Sequence, residues 1–180
     1  MHLRTGLLIA AILFSASAHA QDYCRQITKE VSDDKKQFVY SSPYNTAEPP
    51  AISVKRSYNL DEDNGFDNFT VQFRIAGALD DIYTKGPDGG QLEKEEHGLV
   101  VEFDDKTRFA DDAVQIDHDI TDDRIQSVRS LNFQLPAENI KDFAAKKITR
   151  FSLGGAAQSV SADNANAIMH YVQCLKTVKQ

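Results

Sequence analysis

Apolar and polar residues alternate along several stretches of this chain, with the period of two that a half-buried β-strand requires. The clearest stretch runs from residue 69 to residue 75, where four apolar side chains point to one face and three polar side chains to the other. The same alternation predicts further strands at 52–60, 99–103, 114–120, 124–135 and 148–153. Five phenylalanines occupy strand positions that predict a place in the core: Phe69, Phe73, Phe103, Phe133 and Phe151.

Turn residues predict two hairpins. A polar turn at 33–36 separates two short alternating runs, which indicates a hairpin between residues 25 and 42. The pair Gly154 and Gly155 indicates a second hairpin, whose returning strand covers residues 158–160. Two further segments lack the alternation and contain prolines or glycines, so they are predicted to be loops: residues 43–50 and residues 86–98.

Two segments in the C-terminal part of the chain have helical spacing. Residues 137–147 follow a proline, and residues 161–176 begin with Ser161, a residue type favoured at helix N-caps. One stripe of the second helix is apolar: Ala165, Ile168, Met169, Tyr171, Val172 and Leu175. The predicted fold class is α+β, a mostly antiparallel sheet of meander or sandwich-like form with a C-terminal amphipathic helix packed on it.

Residues 1–20 have the three parts of a secretory signal peptide. Arg4 gives the first part a positive charge, residues 6–14 are all apolar, and residues 18–20 read Ala-His-Ala, an A-x-A-type cleavage site. A run of this length is too short to span a membrane, which takes roughly 20 residues. We therefore expect cleavage, no membrane anchor afterwards, and a single exported β-rich domain, residues 21–180, in the periplasm or outside the cell.

Two cysteines occur in the sequence, Cys24 and Cys174, near the two ends of the predicted mature chain. An exported protein with an even number of cysteines normally forms disulfides. The pair has neither the Cys-x-x-Cys spacing of redox sites nor the cysteine and histidine spacing of zinc sites. We therefore predict a structural disulfide between Cys24 and Cys174.

Acidic residues outnumber basic ones, with 27 Asp and Glu against 20 Lys and Arg and a formal net charge of −7. Nucleic-acid binding without sequence preference needs clustered cations, so this balance argues against nucleic acid as a partner. A negative surface attracts positive molecules, and added salt weakens this attraction. The sequence leaves the ligand or protein partner unidentified, but favours a cationic one.

Aspartate accounts for 19 of the 27 acidic residues, and most of it is expected to be solvated in turns, where its short side chain bonds nearby backbone. Calcium, which prefers carboxylate and carbonyl oxygens, is an alternative, with Asp61, Asp63 and Asp67 as ligands. This segment departs from the EF-hand pattern, which requires glycine where Phe66 stands and glutamate where Gln72 stands. No other cofactor is predicted.

Three histidines remain after the predicted cleavage: His97, His118 and His170. His118 stands between Asp117 and Asp119, but neighbouring residues of a strand point to opposite faces, so neither aspartate is predicted to reach the imidazole. His118 is instead expected to pack against its apolar neighbours. His170 lies off the apolar stripe of its helix and is expected to be solvated.

The sequence contains no catalytic motif such as H-E-x-x-H, G-x-S-x-G or a phosphate-binding glycine loop. Together with the predicted export and disulfide, this favours a non-enzymatic binding or accessory module. Two alternatives stay open. One is a calcium-stabilised module of the same kind, and the other is a hydrolase whose site assembles in space from scattered histidines and aspartates, with His118 or His97 as the base.

Overall fold

The computed structural model describes residues 22–46, 50–61, 65–78, 82–85, 87–88, 90–120 and 126–178. The strands are β1 (Thr28–Val31), β2 (Gln37–Ser41), β3 (Ala51–Asn59), β4 (Phe66–Ala78), β5 (Tyr83–Lys85), β6 (Gln91–Glu93), β7 (Glu96–Phe103), β8 (Arg108–Ile120), β9 (Gln126–Leu135), β10 (Ile148–Leu153) and β11 (Ala156–Ser159). The helices are α1 (residues 22–25), α2 (Ile140–Ala145) and α3 (Ala162–Thr177). Within these ranges no helix combines the length and the apolar character that crossing a membrane requires. The predicted signal peptide, residues 1–20, lies outside the described residues.

Nine of the strands form one antiparallel sheet, in the order β1-β2-β3-β4-β9-β8-β7-β10-β11. Strands β5 and β6 form a separate antiparallel hairpin, which the chain makes between β4 and β7. Helix α3 packs on the sheet through an apolar stripe. The predicted α+β class, a mostly antiparallel sheet with a C-terminal helix packed on it, is confirmed.

The sheet curves around helix α3. This helix contacts both β3 and β10, although four strands lie between β3 and β10 in the sheet order. Across the inside of the curve, the ring centroids of Phe73 on β4 and Phe151 on β10 are 5.2 Å apart. The inner face and the helix enclose the core, which contains all five phenylalanines that the strand pattern assigned to it.

Local signals in the sequence set the ends of α3. The Ser161 side chain accepts a hydrogen bond from the backbone N–H of Asn164, so Ser161 is the N-cap. Asp163 lies in the first turn and Lys176 in the last, where each charge is favoured by the helix dipole. The predicted apolar stripe is buried, except that Met169 is only partly buried.

The predicted loop at 86–98 was wrong, because this segment contains β6 and the start of β7. Its glutamates resemble solvated loop residues in the sequence. In the fold, however, Glu93 and Glu96 contact side chains of the sheet. Gly98 has a φ of +102° and lies where the pairing of β7 with β8 shifts register, so the alternation is interrupted there.

Several other boundaries also differ from the sequence-based prediction, and one is the returning strand of the second hairpin, which is Ala156–Ser159 instead of 158–160. Strand β8 begins at Arg108 instead of residue 114, because the same register shift interrupts the alternation of apolar and polar residues in its first half. Helix α2 covers only Ile140–Ala145 of the predicted 137–147, since a turn precedes it. The first predicted hairpin strand begins at Thr28, because residues 22–25 are helical.

Candidate functional site

The predicted disulfide between Cys24 and Cys174 is confirmed. It joins residues 150 positions apart, with a Cα–Cα distance of 5.4 Å, and so connects α1 to α3. The ring of Tyr23 in α1 stacks on His170, with 5.1 Å between the ring centroids, and meets Tyr171 edge-on. The N-terminal segment is therefore held on α3 by a covalent bond and by ring contacts.

The structure corrects one histidine prediction and supports another. His170 was expected to be solvated, but it is partly buried, because α1 lies over this flank of α3 and places Tyr23 on the imidazole. His118 is buried on the inner face, while Asp117 and Asp119 are exposed on the opposite face, as the strand geometry predicted. His97 is exposed on β7.

The calcium alternative concerns three aspartates, of which the structure describes two. Asp67 forms a two-point ion pair with Arg56, whose Nε and Nη2 lie 2.9 and 2.7 Å from the carboxylate oxygens. The Asp61 carboxylate lies 3.4 Å from the ammonium of Lys36. Asp63 lies outside the described residues. In the part of the chain that the structure describes, no group of three or more His, Cys, Asp or Glu side chains is arranged to hold a metal ion.

A charged cluster that the sequence analysis missed lies on the inner face, around His118. Its ring Nδ1 is 3.2 Å from Glu93 Oε1, and its Nε2 is 3.3 Å from Glu96 Oε2. Arg129, which pairs with His118 in the β8–β9 register, donates from Nε and Nη2 to the two oxygens of Glu96, at 2.5 and 3.0 Å. We call these four residues the His118 cluster.

The chemistry of the His118 cluster follows from how its polar atoms are used. Both ring nitrogens of His118 face carboxylate oxygens, so neither nitrogen points to a hydroxyl or thiol that it could activate. The side chain of Arg129 is 7% exposed and forms an ion pair with the side chain of Glu96, which is 13% exposed. The cluster therefore cross-links β6, β7, β8 and β9 through paired charges.

One signal in the sequence pointed to this cluster. His118 and Arg129 both fall in phase with the buried apolar residues of their strands, at positions where a charge requires a partner. The carboxylates that partner them come from the segment predicted to be a loop. The cluster could not be assembled from the sequence because its strand pairing was unknown.

The pKa of the Glu96 carboxyl lies below its usual value, because the bonded Arg129 guanidinium lowers it more than burial raises it, and His118 lowers it further. A carboxyl of this kind stabilises the fold above its unfolded-state pKa, and the stabilisation is lost as pH falls through its folded-state pKa. Glu96→Gln is therefore expected to destabilise the protein by about 2 kcal/mol at neutral pH, and this difference from the unmutated protein should shrink as the pH falls below the usual pKa of a glutamate carboxyl. Urea unfolding measured across pH tests the prediction.

The neighbouring Glu95 supplies the matched control for that experiment. Glu95 is exposed, so Glu95→Gln removes the same charge from the same segment without touching Arg129. A loss of stability in Glu95→Gln as large and as pH-dependent as that in Glu96→Gln would show that the ion pair is not responsible.

Gly154 provides a second test of the Glu96 position. Its φ is +55°, and a Cβ added there would lie 2.7 Å from Glu96 Oε2, so Gly154→Ala must displace the Glu96 side chain. We expect Gly154→Ala to cost about 2 kcal/mol and to weaken the pH dependence that Glu96 provides. Gly155→Ala is the control, because Gly155 also has a positive φ, +88°, but its added Cβ would meet no atom within 4 Å. If both variants keep the pH dependence of the parent protein, the predicted displacement of Glu96 is wrong.

Arg56 is a second buried cation on the inner face, and it anchors the C-terminal end of α3. In addition to its pair with Asp67, its Nη1 donates to the backbone carbonyls of Leu175 and Val178, at 2.8 Å each. Leu175 lies in the last turn of the helix and Val178 is its C-cap, where backbone carbonyls have few donors within the helix. The Leu175 carbonyl also accepts a longer bond, 3.3 Å, from the backbone N–H of Val178. Arg56 therefore joins β3, β4 and the end of α3.

Next to Arg56, three aromatic rings form a row on the inner face of β2 and β3. The centroid of Tyr58 is 5.0 Å from that of Phe38 and 6.0 Å from that of Tyr40, and the rings are within 20° of parallel in both pairs. Tyr58 is buried, whereas Phe38 and Tyr40 are partly exposed because only β1 lies beyond them. We call Phe38, Tyr58 and Tyr40 the aromatic row.

A lysine from the edge strand covers the exposed side of the aromatic row. The Nζ of Lys29 lies 5.1 Å from the ring centroid of Phe38 and 5.5 Å from that of Tyr40, within the range of cation–π contacts. Burial alone would raise the pKa of the Tyr40 hydroxyl, but its contacts with Tyr58 and Lys29 lower that pKa below its usual value. The positive charge of Lys29 therefore acts on the Tyr40 hydroxyl as well as on the ring faces.

The His118 cluster and the aromatic row differ in what they leave open to another molecule. The groups of the cluster are bonded to one another, whereas two rings of the aromatic row are partly exposed at the edge of the sheet. The aromatic row is therefore the better candidate for contact with a ligand. Comparisons with models of protein families, with curated proteins and with solved structures found no match.

Proposed function

We propose that this protein is an exported, non-enzymatic binding or accessory module, cross-linked by one disulfide, and that its ligand or partner is cationic. The observation that carries the proposal is the partly exposed aromatic row on a chain of net charge −7. Ring faces attract cations, and the net negative charge of the chain steers cations towards it.

Export is supported by the bond between Cys24 and Cys174. Disulfides persist in oxidising compartments, such as the periplasm and the outside of the cell, and are reduced in most cytosols. The signal-peptide pattern of residues 1–20 supports the same location. The intact mass of material from the native host is expected to correspond to residues 21–180 with both sulfurs oxidised, and an uncut leader or two free thiols would contradict export.

The choice of binding over hydrolysis is supported by the surroundings of His118. A histidine acting as general base must accept a proton from a nucleophile or water through a ring nitrogen. Both nitrogens of His118 lie against carboxylates, so a hydrolytic role would require one of these contacts to break.

A partner search and an activity assay test the proposal together. Purified oxidised protein is immobilised and exposed to extract from the exported compartment of the native host. We expect a partner that soluble protein competes away and that higher salt releases, because salt screens charge attraction. Turnover of model esters that is lost in His118→Ala, without any competed partner, would replace the proposal with the hydrolase alternative.

A further inference from the structure

We propose that the aromatic row binds the side-chain ammonium of a lysine on a basic polypeptide, and that Lys29 occupies this site in the free protein. The inference rests on the proposed function, because it names the site and the chemistry of the cationic partner. In the free protein the ammonium of Lys29 lies over the rings of Phe38 and Tyr40. We take this internal contact as a guide to the chemical group that the rings would bind on a partner.

The contacts of Lys29 show why a partner could replace it. Lys29 lies on β1, a strand of four exposed residues at the edge of the sheet. Its ammonium lies over ring faces and contacts the Tyr40 hydroxyl, but among the described residues no carboxylate forms an ion pair with it. Cation–π contacts at exposed sites are worth roughly a two- to fivefold change in a binding constant. Release of Lys29 into solvent therefore costs little.

The charges around the aromatic row favour a cation over an anion. A second cation near the rings is Arg56, with its guanidinium carbon 5.8 Å from the centroid of Tyr58. Its charge is balanced by the two-point pair with Asp67. The displaced ammonium of Lys29 stays attached to β1 but moves into solvent, where water and salt screen its repulsion of the incoming ammonium. An anion, by contrast, would meet a chain that is negative overall.

The position of the row at the sheet edge favours a polypeptide over a free amine. Strand β1 pairs only with β2 among the described strands, so its other edge can pair with an extended segment of a partner. Alternate side chains of such a segment would project onto the inner face, beside Lys29. Val31 is 43% exposed and pairs with Phe38, so it offers an apolar contact for the stem of the incoming lysine.

Two lysine variants distinguish peptide binding at this site from a general effect of the chain's charge on peptide binding. Lys29→Ala opens the aromatic row, while Lys55→Ala removes the same charge from an exposed position on the opposite face of β3. The probe is a blocked peptide of sequence Lys-Thr-Lys-Thr-Lys, titrated in about 0.15 M salt to screen distant charges. Binding is followed by tyrosine fluorescence, because the chain has six Tyr and no Trp.

We expect Lys29→Ala to bind the peptide about fivefold more tightly than the parent protein and Lys55→Ala. Adding Phe38→Leu to Lys29→Ala should remove this gain in affinity. A peptide with acetylated lysines should bind Lys29→Ala no more tightly than it binds the parent protein. Equal affinities of Lys29→Ala and Lys55→Ala would overturn the proposal, and this comparison decides the matter even if the Phe38→Leu variant does not fold.

Two further results distinguish the failure of this inference from that of the proposed function. If butylamine shows the same gain as the peptide, the site accepts small amines and the polypeptide partner is wrong. If the two alanine variants bind alike while the native partner is still captured and released by salt, this site is wrong and the proposed function stands.

Discussion

Replacement of Arg56 by methionine is expected to destabilise the protein by about 3 kcal/mol, because it removes the two-point ion pair with Asp67 and the guanidinium bonds to the carbonyls of Leu175 and Val178. Loss of one partner from a buried ion pair typically costs about 3–5 kcal/mol. The lower end applies here, since Asp67 is 36% exposed and water can solvate its carboxylate once Arg56 is gone. Urea denaturation of both proteins measures the difference.

Arg74→Met is the matched control for Arg56→Met. Arg74 lies on the adjacent strand β4, is only partly buried, and contacts the ring of Tyr44 at 5.5 Å. We expect this variant to lose no more than about 1 kcal/mol, the value of an exposed cation–π contact. Similar losses in the two variants would show that burial and the contacts to α3 do not set the contribution of Arg56.

Removal of the disulfide, by replacing both Cys24 and Cys174 with serine, is expected to cost about 3 kcal/mol. The bond closes a loop of 150 positions, which restricts the unfolded chain strongly, and chain-entropy estimates for such a loop reach about 5 kcal/mol. Measured values are usually smaller, because the reduced, unfolded chain retains some structure. In the folded protein, Tyr23 also holds α1 on α3 through ring contacts with His170 and Tyr171.

Denaturant unfolding of the oxidised protein, the reduced protein and the double serine variant measures this effect. The reduced protein and the serine variant should agree. Tyr23→Ala in the oxidised protein is the control, since it removes the ring contacts and keeps the covalent bond. If reduction leaves the midpoint unchanged while Tyr23→Ala lowers it, packing rather than the disulfide holds α1 on α3.

Removal of the disulfide is also expected to affect the strand that carries the proposed lysine site. Strand β1, which carries Lys29, begins only a few residues after Cys24. Loss of the bond removes the covalent anchor at the start of this edge strand. We therefore expect hydrogen exchange of the α1 and β1 amides to accelerate more than that of the central strand β4, because edge segments open at lower free energy than core strands.

Strand positions in the middle of the sheet were predictable because one of their faces meets the core and the other meets solvent. Residues 69–75 show this alternation, and all of them lie in β4. The alternation gives no strand signal at 86–98, where the charged side chains of Glu93 and Glu96 face inward. Glu96 looks like a solvated residue until Arg129 is known to lie beside it.

The candidate site was less predictable than the fold. The aromatic row depends on the pairing of Phe38 with Tyr58, and the hairpin signal at 33–36 set the pairing of β1 with β2 but not that of β2 with β3. The aspartates considered as calcium ligands are turn and strand-end residues in the sequence. Only the fold shows that Arg56 already pairs with Asp67.

The sequence by itself determined the β-rich character of the chain, the amphipathic C-terminal helix and the pairing of its two cysteines. The strands and the helix follow from periodicity and capping residues, which act over short distances along the chain. The cysteine pairing follows because two cysteines allow only one intramolecular disulfide. The tertiary structure decided the contacts around His118, the anchoring of α3 by Arg56 and the aromatic row covered by Lys29. Each of these joins strands that are distant along the chain, and their register is set by packing of the whole sheet around the helix, which no local pattern records.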